Sequence, residues 1–466
     1  MKYLSLFSFF AVLTVFSVGF RMDGTSLYPN ANVPTEWSKD KNISWQTDLP
    51  AWSNACPLIV KDKIFVCAEP DTLICLNNKG EIQWQVKNNY YETMTPVEQE
   101  QLKNESDAYK KLTDEINQLT KNGKQLDRKI KDAKKQDAPD QQAITALETD
   151  LKTNNDSLTE KNTIADKMLS KKMQMPPTHE VNGYSSNTPF FDGEKIYVCY
   201  GYGINAAYNL DGKRAWIKFV EKSTHGWGQS CSPLVVNGVM LVHYERNTYG
   251  LNTKDGEILW KTSRNHNWGS ILPITVDGVT AAVTDNGDII NPVDGKTLVS
   301  TGFSLDFGSP LVIKNVIYYA SNDASAAFDI SIDADKKWVA KKLWRTIVAK
   351  DRYYASPLLV DGNLYIVNAN GTLTVLNGTT GEKYYEKKLN IGSTVYPSPI
   401  LAGKNIIISS DNGKAVVIES GIEYKEISAI QFEPYRTTPV ADGKNLYIRT
   451  TPKTQSKLYC ISEAAK

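Results

Sequence analysis

The sequence is poor in the residues from which most metal and hydrolytic centres are built. Four histidines in 466 residues are too few for a multi-histidine metal centre, and neither HExxH nor a paired-cysteine spacing occurs. There is no GxSxG elbow and no GxxxxGKS/T phosphate loop. Charge of one sign is missing as well. The 53 Lys and Arg against 52 Asp and Glu leave a net +1, so no overall field draws in nucleic acid or anionic lipid. Past the first few tens of residues, no run is long and apolar enough to span a membrane.

The start of the chain is different. Lys2 is followed by an uncharged stretch from Leu4 to Val18, and Ser17-Val18-Gly19 is a small-x-small cleavage site. Residues 1–19 therefore read as a secretory signal peptide, with an uncleaved anchor as the alternative. Export places the protein in the periplasm or outside the cell. The first cysteine, Cys56, is far from the apolar run, so no lipoprotein anchor is encoded here.

Six cysteines follow: Cys56, Cys67, Cys75, Cys199, Cys231 and Cys460. An even count in an exported chain permits disulfides. Yet the phrases IFVC, IYVC, LICLN and LYCIS put them at strand-core positions, where cysteine acts as a small hydrophobe. Mostly free, buried thiols are expected.

One phrase recurs through the chain: a small residue, a proline, apolar residues, a Gly- or Asn-bearing turn, then an alternating apolar strand. Its prolines are Pro57, Pro189, Pro233, Pro273, Pro310, Pro357, Pro399 and Pro439. After the first gap their spacing averages about 42 residues. A second half follows each phrase, as in LICLNNKGEIQW and YGLNTKDGEILW: a strand, a turn ending in Gly, and a strand ending in an aromatic. Asn-Gly and Asp-Gly turns mark hairpins. Two hairpins per unit at this period describe a propeller blade, and eight phrases describe eight blades. The last unit stops after LYCIS without its outer strand, and NISWQTDLP near the N-terminus has the missing pattern. Joining the two ends would close the ring and remove exposed edges. The strand-end aromatics Trp84, Trp216, Trp260, Trp344 and Tyr385 read as packing between blades.

The first gap is 132 residues, roughly 90 more than a blade needs. The surplus lies at 91–176, which has no Trp, Cys or His and is rich in both signs of charge. Thr95-Pro96-Val97-Glu98 is a capping box with Pro at the first helical position. One apolar seam runs Tyr109, Leu112, Ile116, Leu119, Leu126, Ile130; another runs Ile144, Leu147, Leu151, Leu158, Ala165, Met168. The phrase DAPD separates them. This predicts an antiparallel coiled-coil hairpin with arms of ~50–60 Å. The fold class expected is all-β: an eight-bladed β-propeller with an inserted α-helical hairpin. The domains are 20–90 for the closing strand and first blade, 91–176 for the hairpin, and 177–466 for blades two to eight.

The repeat halves LNTKDGEILW and LNGTTGEKYY resemble the tryptophan-docking motif of the PQQ-like propellers. That family includes quinoprotein alcohol dehydrogenases and the outer-membrane assembly propeller. The opening FRMDGTS…VPTEWSKDKNISWQTDLPAWSNACPLIV and the phrase HGWGQSCSPLVVNGVMLVH resemble secreted members of planctomycete type. The resemblance covers 20–90 and 177–462 and leaves the helical segment outside. It implies the fold and says little about function. A dehydrogenase of this family would carry PQQ and calcium at the axis, and many cover the quinone with an adjacent cysteine pair. No such pair occurs here, and the blade loops are short. No cofactor is expected, with PQQ and calcium as the alternative.

In a propeller the loop before each innermost strand opens on one face around the axis. Here those loops are rich in aromatics, His and Arg: Trp52, His179, His225, Trp227, His266, Trp268, Arg352, Tyr396 and Arg436, with Tyr184, Tyr353 and Tyr435 beside them. Such residues make binding hot spots, and their rings can stack on sugars. Packing between degenerate repeat copies is the competing explanation. The expectation is an exported, non-enzymatic binding or scaffold module for a protein or polysaccharide partner. The alternatives are a PQQ- and calcium-dependent oxidoreductase and an envelope protein-assembly subunit.

Overall fold

Each proline phrase opens an antiparallel sheet. In a computed structural model, which describes residues 17–265, 267–452 and 455–463, eight such sheets form. The first blade shows the pattern: strands Leu58–Val60, Lys63–Ala68, Thr72–Asn77 and Ile82–Lys87, paired in that order. The two middle strands are buried almost throughout, while the outer strand alternates between half-buried and exposed. That is the burial expected of strands packed between neighbouring sheets, with one edge left in water. The architecture is the all-β, eight-bladed propeller that the repeat implies.

The closing strand is where the end analysis puts it. Ile43–Asp48 pairs antiparallel with Lys457–Ile461 and completes the eighth blade. Adjacent blades are held by the strand-end tryptophans. The indole N–H of Trp45 donates to Asn78 O at 3.0 Å, that of Trp216 to Thr253 O at 3.0 Å, and that of Trp344 to Gly378 O at 3.0 Å. Each ring lies against a turn glycine of the next blade. A Cβ at Gly80 would sit 2.5 Å from Trp45, and one at Gly381 would sit 2.6 Å from Trp344. Both glycines also have positive φ, so close approach and backbone conformation exclude side chains together. A carboxylate adds a further clip between blades one and two. Glu69 accepts the backbone N–H groups of Tyr184 and Ser185 at 2.8 and 2.7 Å, and the Ser185 hydroxyl at 2.6 Å.

The N-terminal segment makes contacts that the repeat does not announce. Val18 exchanges two backbone bonds with Phe191 of blade two, at 2.9 and 2.7 Å. Arg21, fully buried, donates to Ser26 Oγ at 2.8 Å, Thr25 O at 3.0 Å and Pro357 O of blade six at 2.7 Å. Leu27–Tyr28 then runs parallel to Leu401–Ala402, the innermost strand of blade seven. This strap therefore crosses between blades far apart in the ring. Burial lowers the Arg21 guanidinium to about 10. Val18 and Gly19, on the leader side of the expected cut, belong to the strap; residues 1–16 lie outside the described residues.

All six cysteines are free and buried. Burial pushes the Cys67, Cys231 and Cys460 thiols up to about 12, so they pack as hydrophobes and are poor nucleophiles.

Residues Tyr90–Met175 form a separate compact unit. It consists of helix α1, Pro96–Lys134, and helix α2, Gln141–Lys167. The Thr95–Glu98 capping box is formed in full, and Asp140 caps α2 through Gln142 and Ala143. The two helices pack along their length. Asn154 donates to Leu119 O at 3.0 Å, and Lys161 pairs with Glu115 at 2.5 Å. Gly123, which interrupts the first seam, sits where a Cβ would lie 3.1 Å from Asn154; the gap in the seam is a close-approach point. α2 stops one residue short of the predicted seam, with Met168 as its C-cap.

Candidate functional site

A closed circle of hydrogen bonds surrounds the ring axis. The residue that opens each innermost strand donates its backbone N–H to a hydroxyl on the next blade. The order is Cys56 to Thr188, Thr188 to Ser232, Ser232 to Ser270, Ser270 to Ser309, Ser309 to Ser356, Ser356 to Ser398, and Ser398 to Thr438. These seven bonds measure 2.8–3.1 Å. The Thr438 N–H faces the Cys56 sulfur and completes the circle. Seven hydroxyls and one thiol thus occupy one repeat position, all buried. A buried N–H left without an acceptor is costly, and the circle satisfies each blade's N–H through its neighbour.

This circle floors a cavity of about 510 Å³, within the range of small-molecule sites. Its wall comes from the residue two places earlier on each blade. Around the ring these are Asn54, Ser186, Ser230, Trp268, Phe307, Tyr354, Tyr396 and Arg436, and all eight line the cavity. The wall is therefore divided. Three consecutive blades present small polar side chains and five present rings or a guanidinium. The large ones touch in series. Trp268 and Phe307 stack at 5.6 Å, Phe307 and Tyr354 meet at 4.9 Å, Tyr354 and Tyr396 stack at 4.7 Å, and Arg436 lies 5.6 Å over Tyr396. Arg352 sits 6.0 Å over Phe307 and donates to the Tyr354 hydroxyl at 3.2 Å. Phe20 of the N-terminal strap also reaches the lining.

The structure collects most of the expected loop-face residues here. His225, Trp227, Trp268, Arg352, Tyr396 and Arg436 line the cavity. His179 does not line it; its imidazole stacks on Trp227 at 3.9 Å and 18° and backs that indole. Trp52 is not in the lining either, and its carbonyl accepts the Glu69 N–H at 2.9 Å. His266 lies outside the described residues. Tyr353 and Tyr435 are buried, and the wall positions belong to Tyr354 and Arg436 beside them. In extended chain, successive side chains face opposite ways, so a one-residue error moves a residue from the wall to the core. Sequence reasoning missed Phe307, Tyr354 and the hydroxyl circle. The signal was present: Ser or Thr directly precedes six of the eight phrase prolines.

The short blade loops line this cavity. Its chemistry fits a calcium-bound quinone poorly. Among the described residues no Asp or Glu lines it, so carboxylate ligands for a hard cation and a carboxylate base are both missing. No cluster of His, Cys, Asp and Glu suited to a metal forms among the described residues. The charged groups in the lining are Arg352 and Arg436. Asp411, at 3.7 Å from Arg436, partly offsets the latter from outside the lining.

A closed ring of four-stranded sheets with tryptophan-docked blades defines a PQQ-like propeller. Residues 178–265 and 245–466 match the family described as outer membrane protein assembly factor BamB, and the chain belongs to that family. It is 25% identical over 197 residues to the outer membrane protein assembly factor BamB of Legionella pneumophila (strain Paris), a match covering 40% of this chain and 49% of that protein. The match thus spans about half of that relative's length. Among solved structures, BamB from Moraxella catarrhalis superposes with a TM-score of 0.54 at 11% identity, over 90% of this chain and 99% of that one. The quinohemoprotein alcohol dehydrogenase of Comamonas testosteroni superposes with a TM-score of 0.56 at 10% identity, over 96% of this chain and 81% of that one. Both superpositions speak to the fold alone. Among the described residues no helix is long and apolar enough to cross a membrane.

Proposed function

We propose that the protein is an exported, non-enzymatic binding propeller that holds a protein or polysaccharide partner on the cavity face of its ring. The observation that carries this reading is the divided wall. Five consecutive blades present Trp268, Phe307, Tyr354, Tyr396 and Arg436 at one position around the cavity. The blades are already docked by a separate set of outer-strand tryptophans, so the inner rings are not needed for that task. Trp227 adds a large aromatic surface that is 49% exposed, as binding surfaces favour.

The test is a photo-crosslinking amino acid placed at Trp227 in the native host. Discrete adducts are expected there and not at Ile347, an exposed outer-strand position. Equal labelling at both sites, or none at Trp227, overturns the reading. A second reading, service in envelope protein assembly, is favoured by membership of a family described by that role. It expects depletion of outer-membrane proteins when the chain is deleted, with normal levels counting against it.

A further inference from the structure

We infer that the axial cavity receives the end of an acidic polysaccharide. This rests on the binding reading above and specifies its ligand. Three features of the cavity select the chemistry.

The first is charge. The lining holds Arg352 and Arg436 and, among the described residues, no carboxylate. A guanidinium at the wall of a concave site selects an anion.

The second is the pattern of unused hydrogen-bonding atoms. Asn54 Oδ1 is buried and accepts nothing, and Arg436 Nε is buried without a hydrogen bond, its nearest charge partner being Asp411 Oδ2 at 3.7 Å. The floor hydroxyls of Ser232, Ser309, Ser356 and Ser398 each accept a backbone N–H and donate to no acceptor among the described residues. A ligand that fits must donate on the Asn54 side and accept on the Arg436 side and at the floor. Sugar hydroxyls do both, and a uronic carboxylate supplies the anion.

The third is shape. Trp227 is braced on one side by His179 at 3.9 Å and stays 49% exposed, a flat platform for the C–H face of a pyranose. The small side chains of Asn54, Ser186 and Ser230 leave room opposite the aromatic half. A second depression of about 810 Å³ adjoins the first and shares Arg352, Tyr354 and Tyr396 with it. Its other walls include Asn370, Asn390 and Ser393 with Lys388 and one carboxylate, Asp351, a polar path along which further sugar units can lie. An acidic peptide meets the charge requirement but makes no use of the platform.

The experiment is calorimetric titration of the full purified chain with di-, tri- and tetragalacturonate. Neutral gluco-oligomers of equal length and hexaglutamate serve as comparisons. One oligouronate per chain is expected, at least about tenfold tighter than the neutral oligomer and tightening from dimer to tetramer. Arg436→Gln and Trp227→Ala should each weaken binding about tenfold with the thermal unfolding midpoint retained, and Ile347→Ser should leave it unchanged. Trp227 is exposed, so its variant tests the site even if Arg436→Gln fails to fold. The inference is overturned if folded protein binds no oligouronate at millimolar concentration, or binds neutral and acidic oligomers alike. It is also overturned if hexaglutamate binds more tightly. None of these outcomes removes adducts at Trp227, so the binding reading falls only by its own crosslinking test.

Discussion

Ser356 shows how a single hydroxyl joins two blades. It accepts the Ser309 N–H at 3.1 Å and passes its own N–H to Ser398 at 3.0 Å. Ser356→Ala should leave the Ser309 N–H buried and unpaired, at a cost of ~1–3 kcal/mol. Cys56→Ser keeps the size and restores an oxygen to the eighth position, so it should cost much less; urea unfolding of the two variants compares them. Glu69 gives a pH signature. Its burial raises the carboxyl above the ordinary range despite bonds from Ser185 and Tyr184. The folded chain therefore binds this proton more tightly than the unfolded chain. The stability that Glu69 contributes is full in acid and declines as pH rises through its raised value. The difference in unfolding free energy between wild type and Glu69→Gln should accordingly shrink from mild acid to neutrality; a difference that grows would count against the assignment. Residue by residue, the sequence was legible by type more than by direction. Arg352, Tyr396 and Trp268 could be picked out because aromatic and cationic groups are conspicuous in short loops. Tyr353 and Tyr354 could not be told apart, because only the backbone's exact course decides which of two neighbouring rings faces the axis.

At the level of elements, hairpins and helices were readable because each carries its own local signal. LNTKDGEILW specifies a turn and two strands without help from the rest of the chain, and Thr95–Glu98 specifies a helix start. The hydroxyl circle was not readable in the same way, since six of its bonds join residues about 40 positions apart, the Cys56–Thr188 bond spans 132, and its meaning appears only when all eight are seen together. The helical unit Tyr90–Met175 is continuous in sequence, and the chain on both sides of it belongs to the other unit. Replacing residues 95–175 with a short Gly-Ser linker should leave a single cooperative unfolding transition for the ring. Calorimetry checks this; a broadened or missing transition would mean that the ring depends on the helices.

At the scale of the molecule, the closing strand was foreseen and the strap was not. Ile43–Asp48 has the blade pattern and fills an evident gap. Residues 18–28 have no repeat and no periodicity, and their partners Phe191, Pro357 and Leu401 are fixed by the ring rather than by nearby sequence. The strap also bears on how the chain comes together in time. Leu27–Tyr28 are made long before Leu401–Ala402, with which they pair, and the closing strand long before its partner Lys457–Ile461. Neither pairing can form until those later strands have been made. Contacts so distant along the chain are slow to form, and until they do the eighth sheet lacks its outer strand and keeps an open edge. Until then the ring is an unlatched arc, and Lys457–Ile461 act as its latch. A chain truncated before Lys457 would keep most of its blades and lose the strand on which Ile43–Asp48 closes the ring.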